Sequence, residues 1–191
     1  MPAKPGERKS QILQALAEML QDPQGEKITT AALASRLDVS EAALYRHFAS
    51  KAQMFEGLIE FIEHTLFGLV HKISIEESDG RRQVESIVGM LLGFSQKNPG
   101  MTRVLIGEAL IHENGRLQLR INQLHDRLES SVKQSLRIAQ SQGLLPAERD
   151  VAAQANLILS FVAGRWHQYA KSGFRREPTE FWARQMPLLL A

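Results

Sequence analysis

Ala42, Ala43, Tyr45, Arg46, His47 and Lys51 fall within ten residues of one another, and their types suit a surface that meets a nucleic acid. The Arg46 guanidinium can take a guanine edge or a phosphate, and the methyl group of Ala42 can touch a thymine methyl. Ala43 keeps that stretch slim, so that backbone can approach base edges. Tyr45, His47 and Lys51 suit phosphate oxygens. Upstream, Thr29 and Thr30 bring hydroxyls to the start of a short apolar-periodic stretch, where free helix amides form an anion site, and Arg36 can assist from its outer face. Two positions admit two readings each: Ser40 caps a helix or reaches a base, and His47 meets phosphate or packs beside Phe48.

These groups work together only if helices hold them. Leu33, Ala34 and Leu37 share one helical face, and Leu44 and Phe48, four apart, share another. Ser40 precedes the second of these segments, and Ser50, with Gln53 three residues later, precedes a third, as N-cap and capping box. At about 100° per residue, inward Leu44 and Phe48 turn Ala42, Tyr45 and Arg46 outward, with Ala43 and His47 at the margins. Residues 29–61 therefore read as a helix-turn-helix running into a longer helix. A helix from about Glu7 to Gln21, carrying Ile12, Leu13, Leu16, Met19 and Leu20 and closed by the Asp22-Pro23-Gln24-Gly25 run, completes a three-helix head. Lys4, Arg8 and Lys9 lie in or near an N-terminal arm able to follow a phosphate strand or a minor groove, or simply to stay solvated.

The chain has 191 residues, 43% hydrophobic and 23% charged, an ordinary composition for a packed soluble protein. Without cysteine, disulfides and thiolate metal sites are excluded, and a reducing cytoplasm fits. The polar start MPAKPGERKS lacks the apolar run of a signal peptide, and no stretch approaches the roughly 20 apolar residues that span a bilayer, so no membrane partner is expected. The net charge is only +2, and residues 1–52 hold seven Lys or Arg against six Asp or Glu. With so few phosphate contacts per protomer, useful affinity requires two protomers on one duplex.

Beyond the head, one long helix is expected from Lys51 to about Ile73. Further helices follow at about 81–97, 101–113, 116–141, 148–171 and 179–189, with no strand pattern. The expected fold is all-α, with about nine helices: a helix-turn-helix head over residues 1–52 and a helical dimerisation and partner-binding body over 53–191. In the 148–171 segment, Val151, Ala155, Ile158, Val162, Trp166 and Tyr169 make one apolar stripe, and Leu157, Phe161 and Gly164 make another. One stripe can face the chain's own body and the other a second copy. The expected dimer contacts are Ala155, Ile158, Val162 and Trp166, joined by Phe181 and Trp182 of the last helix. Such a homodimer would hold its recognition helices about 34 Å apart on palindromic double-stranded DNA.

The stretch ITTAALASRLDVSEAALYRHFASKAQMF resembles the head of TetR-type regulators in residue type and spacing. RKSQILQALAEML, FEGLIEFIE, LLGFSQKNPGMTR, RINQLHDRLE and PTEFWAR extend the likeness, over most of the chain, to the nucleoid occlusion branch of that family. The resemblance implies a cytoplasmic, nucleoid-associated dimer that also grips the tubulin-like division protein FtsZ, so that division filaments fail to mature over the chromosome. It further implies a peptide groove at Phe61, Leu69, Met90, Gly93, Lys97 and Asn98. An apolar groove with a glycine floor and a cation at its rim suits an extended peptide with apolar and acidic groups. Phe61 and Met90 can equally be core. Lys97 stands where that branch has arginine, Leu69 where it has a basic residue, and Ala49 where proline is frequent.

Most TetR-type chains imply another function, a repressor released from DNA when a small molecule enters the body. The aromatics that line such pockets make up only 6% of this chain. An enzyme is not expected, and no cofactor or metal is implied: there is no phosphate-binding glycine loop, no nucleophile elbow and no metal-spaced cluster. His64 and His71, seven apart, lack further ligands.

Overall fold

The computed structural model describes residues 5–22, 28–111 and 113–191, and among them every regular element is helical. Helix α1 (Pro5–Met19) buries Ile12 and Leu16 one turn apart, with Leu20 just past its end. The turn expected at Pro23 to Gly25 and the arm residue Lys4 lie outside the described residues. Helices α2 (Thr30–Arg36) and α3 (Glu41–Tyr45) form the helix-turn-helix. Between them Asp38 adopts a left-handed φ of 52°, and the Val39 amide donates to Ala34 O at 3.0 Å, a Schellman closure that turns the chain sharply.

Each start in the head is capped as its residue type dictates. Thr29 Oγ1 accepts from the Ala32 amide at 3.1 Å and Ser40 Oγ from the Ala43 amide at 3.2 Å. Ser50 Oγ accepts from the Gln53 amide at 3.2 Å at the start of α4 (Lys51–Glu76). The return bond of this capping box goes one residue further out than the motif predicts, from the Ala49 amide to Gln53 Oε1 at 2.9 Å. Leu33, Ala34, Leu44 and Phe48 are buried together, and α4 carries that packing onward through Leu58, Ile62 and Leu66. Full burial of each such aliphatic side chain contributes roughly 1.5–3 kcal/mol.

The body comprises α5 (Gly80–Lys97), α6 (Pro99–Leu105), α7 (Gly115–Ser141), α8 (Val151–Lys171) and α9 (Trp182–Leu190). The helix expected at 101–113 stops at Leu105. Gly107 takes φ +77°, where a Cβ would lie 2.4 Å from Gln118 Oε1, and only a 3-10 turn over Glu108–Leu110 follows. Likewise α9 begins at Trp182 rather than 179, after Phe181 at φ 64°. The long helix runs past Ile73 to Glu76, and α8 starts at Val151 behind its cap, Asp150.

The stripe expected at the dimer interface on α8 lies inside the protomer. Ala155, Ile158 and Val162 are 0% exposed and Trp166 1%, inside a single protomer. Trp166 Nε1 donates to Leu91 O of α5 at 3.3 Å. Side chains without exposed surface in one copy cannot touch another unless the protomer opens. The outward face of α8 is the alternative stripe, with Leu157 57% exposed; Phe181, at the cap of α9, adds 54% and Leu188 of α9 74%. Trp182 is half-buried, its indole 3.3 Å from where a Cβ on Gly89 of α5 would stand.

Candidate nucleic-acid interface

The reading surface starts at the N-terminus of α3. Ala42, Tyr45 and Arg46 are exposed there, Ala43 and His47 half-exposed, and Arg46, in the C-cap position, takes part in no ion pair seen among the described residues. Ser40 caps, and its oxygen stays at the surface beside Ala42. Thr29 is the N-cap of α2, while Thr30, in its first turn, donates its hydroxyl to Glu41 and accepts from the Tyr45 hydroxyl at 3.4 Å. This chain of hydroxyls ties α2 to α3 and fixes the ring of Tyr45. Sequence reasoning missed Glu41, the one carboxylate on α3, although an acidic residue directly after an N-cap is a readable feature.

Three cations border this surface with different commitments. Lys9 of α1 places its ammonium 5.5 Å from the Phe48 ring centroid, bringing the first helix beside the reading face. Arg36 is directed at Glu18 of α1, 2.8 Å away. That guanidinium, followed by the Gln14 amide, holds the Glu18 carboxyl below the usual carboxylate range. Arg36 thus braces α2 on α1, half-exposed. Lys51, at the first position of α4, has its ammonium on Glu113 just before α7 and 5.7 Å from the Phe55 ring centroid, with both charged side chains mostly buried. Phosphate contact by Lys51 therefore means exchange of one anion for another.

On the other side of α4, Phe61 is 50% and Leu69 38% exposed, with Thr65 between them on the same face, so neither apolar residue is core. On α5, Met90 and Gly93 are half-buried and Lys97 exposed, and a Cβ on Gly93 would meet nothing within 4 Å. Asn98 donates its side-chain amide to Phe94 O at 2.8 Å. Phe61 and Asn98 also line a cavity of about 390 Å³ against Leu13 and Ala17 of α1, Leu58 of α4 and Met101 of α6; Leu69, Met90, Gly93 and Lys97 do not. Among the described residues there is no cluster of three or more potential metal ligands, and no helix long and apolar enough to cross a membrane.

Two family descriptions match the chain: that of bacterial regulatory proteins of the tetR family over residues 12–58, and that of the SlmA-like tetracyclin repressor-like C-terminal domain over residues 79–191. Curated relatives are similar along most of their length. The nucleoid occlusion factor SlmA of Marinomonas sp. is 50% identical, covering 99% of this chain and 96% of the relative. That of Alteromonas mediterranea is 51% identical over 94% of this chain and 93% of the relative. Among solved structures, the fatty acid degradation regulator FadR of Bacillus halodurans superposes with a TM-score of 0.82 over 99% of this chain and 97% of its own, at 16% identity. The TetR family regulator PfmR of Thermus thermophilus does so at 0.77 over 94% and 96%, with 24% identity. At these identities the two structures report on the fold alone.

Proposed function

Because the chain belongs to the TetR family and, within it, to the nucleoid occlusion factors named SlmA, we propose that it binds palindromic DNA as a homodimer and restrains FtsZ assembly over the nucleoid. One observation carries this reading: the likeness to the SlmA proteins covers body as well as head, at half of all positions. Heads alone mark the superfamily, whereas bodies differ from one regulator group to the next.

In this reading α3 enters the major groove with Ala42, Ala43 and Arg46 toward base edges. Thr29, Thr30, Ser40, Tyr45 and His47 hold phosphates around it, and Lys51 turns from Glu113 to the backbone. The division-protein tail lies along Phe61 and Leu69 of α4 and Met90, Gly93 and Lys97 of α5, with Asn98 at the end. Because α4 belongs to both head and body, DNA on the heads also settles the wall of that groove.

The test combines duplexes selected from a random pool with sedimentation of FtsZ filaments. Operator-loaded protein should reduce the pelleted polymer more than free protein does. Phe61→Ala should keep operator binding and lose the effect on filaments. Intact operator binding with no effect on filaments in the parent chain would remove the division role. Release from DNA by a metabolite would point instead to the repressor function common among TetR-type chains.

A further inference from the structure

Head and body meet at a guanidinium that belongs to one and caps the other. Arg103 lies on α6, its side chain four-fifths buried, yet Nη1 donates to the carbonyl oxygens of Leu20 at 3.2 Å and Asp22 at 3.0 Å, immediately past the end of α1. Its Nε and Nη2 go to Glu108 Oε1 at 2.9 and 2.8 Å, which fixes the plane of the fork. Helix α1 has no basic residue in its own last turn, so the cation at its negative end comes from the body.

A second contact stands beside the first. A Cβ on Gly100 would lie 1.9 Å from Ala17 O, so the backbone of α6 rests directly on the backbone of α1. Next to this contact the packing is open, since a cavity of about 390 Å³ is lined by Leu13 and Ala17 of α1, Leu58 and Phe61 of α4 and Gly100 of α6. Open volume beside a tight backbone contact leaves α1 room to rock about that contact. Arg103 opposes that motion.

We propose that Arg103 is a positioning residue for DNA recognition: by capping α1 from α6 it sets the angle of the head on the body, and so the span between the two recognition helices. The inference rests on the dimeric DNA-binding reading above. It gives α6 a task that neither the reading face nor the partner groove requires.

The chain has no cysteine, so Ser35→Cys on the exposed side of α2 carries a single spin label per protomer. Dipolar spectroscopy on the full chain then reads the distance between heads. The Arg103 form should give a narrow distribution, and Arg103→Gln, shown by circular dichroism to remain folded, a broad one. Arg103→Gln should also lose, several-fold, the preference for the selected operator over one whose half-sites are moved apart by a base pair. Arg103→Lys, which keeps the charge without the fork, should restore only part of both. If Arg103→Gln does not fold, Glu108→Gln, which frees the guanidinium while leaving it in place, should broaden the distribution in the same direction. A folded variant with unchanged width and unchanged spacing preference overturns the proposal. No dipolar signal in the parent chain would overturn the dimer and the proposal together, whereas a signal that Arg103 does not shape overturns the proposal alone.

Discussion

Lys51 stands at the first position of α4, where the positive end of the helix disfavours a cation, and its ammonium is held by Glu113, 62 residues away in sequence. In the proposed role Lys51 exchanges this mostly buried carboxylate for a phosphate, so removing the carboxylate's charge should strengthen DNA binding. Glu113→Gln should raise affinity for all duplexes alike, and Lys51→Ala should lower it alike, because phosphate contacts carry no sequence information. Arg46→Ala should behave differently, costing about 1–3 kcal/mol on the selected operator and relaxing one position of the site if it reads a base. Anisotropy titrations at two salt concentrations separate the three; an unchanged Glu113→Gln affinity would show that Lys51 is structural. The outward placement of Ala42, Tyr45 and Arg46 was legible because a five-residue helix shows only a few side chains and its cap and core positions fix the rest. Glu113, Glu18 and Arg103 were not: their roles come from partners in remote elements, which no local spacing encodes.

Among the described residues, periodicity places each α-helix and misplaces mainly the ends, where a single backbone angle decides. Gly107 and Phe181, both left-handed, shorten two expected helices, and nothing in a hydrophobic pattern announces a positive φ at a phenylalanine. Beside the buried stripe of α7 stands His125, half-buried. His125 Nε2 lies 2.9 Å from Leu105 O, and the ring sits 5.7 Å from that of Trp166. Burial lowers its pKa, opposed by the carbonyl of Leu105 and by Asp126 and reinforced by His167. A histidine harder to protonate when folded gives stability that is fully present above the unfolded value of about 6.5 and declines as pH falls toward the folded one. The urea midpoint should therefore drop on acidification from neutrality. His125→Gln, which still offers Leu105 O a donor, should flatten that slope, and an unchanged slope would place the acid sensitivity elsewhere.

The proposed dimer turns on which of two stripes of one helix faces inward, a choice made by α5 and α7 rather than by α8 itself. Both stripes are apolar at helical spacing, so the pattern alone could not rank them. Burial of Ile158 and exposure of Leu157 do so. Their neighbouring positions give a sharp comparison. Leu157→Lys puts a charge on the outward face and should leave a folded protomer that no longer sediments as a dimer. It should also lose operator affinity, since one head with few phosphate contacts cannot hold a palindrome alone. Ile158→Ala removes atoms from the closed core and should cost about 2–5 kcal/mol in unfolding while the folded fraction stays dimeric. Should Leu157→Lys remain dimeric and bind operator normally, the pairing face lies away from the α8 and α9 surface, and the span between heads must be set elsewhere. Should Ile158→Ala dissociate without losing stability, the inner stripe is not core in solution. Opposite responses at two adjacent residues follow only if α8 has one side in the protomer and the other in its partner.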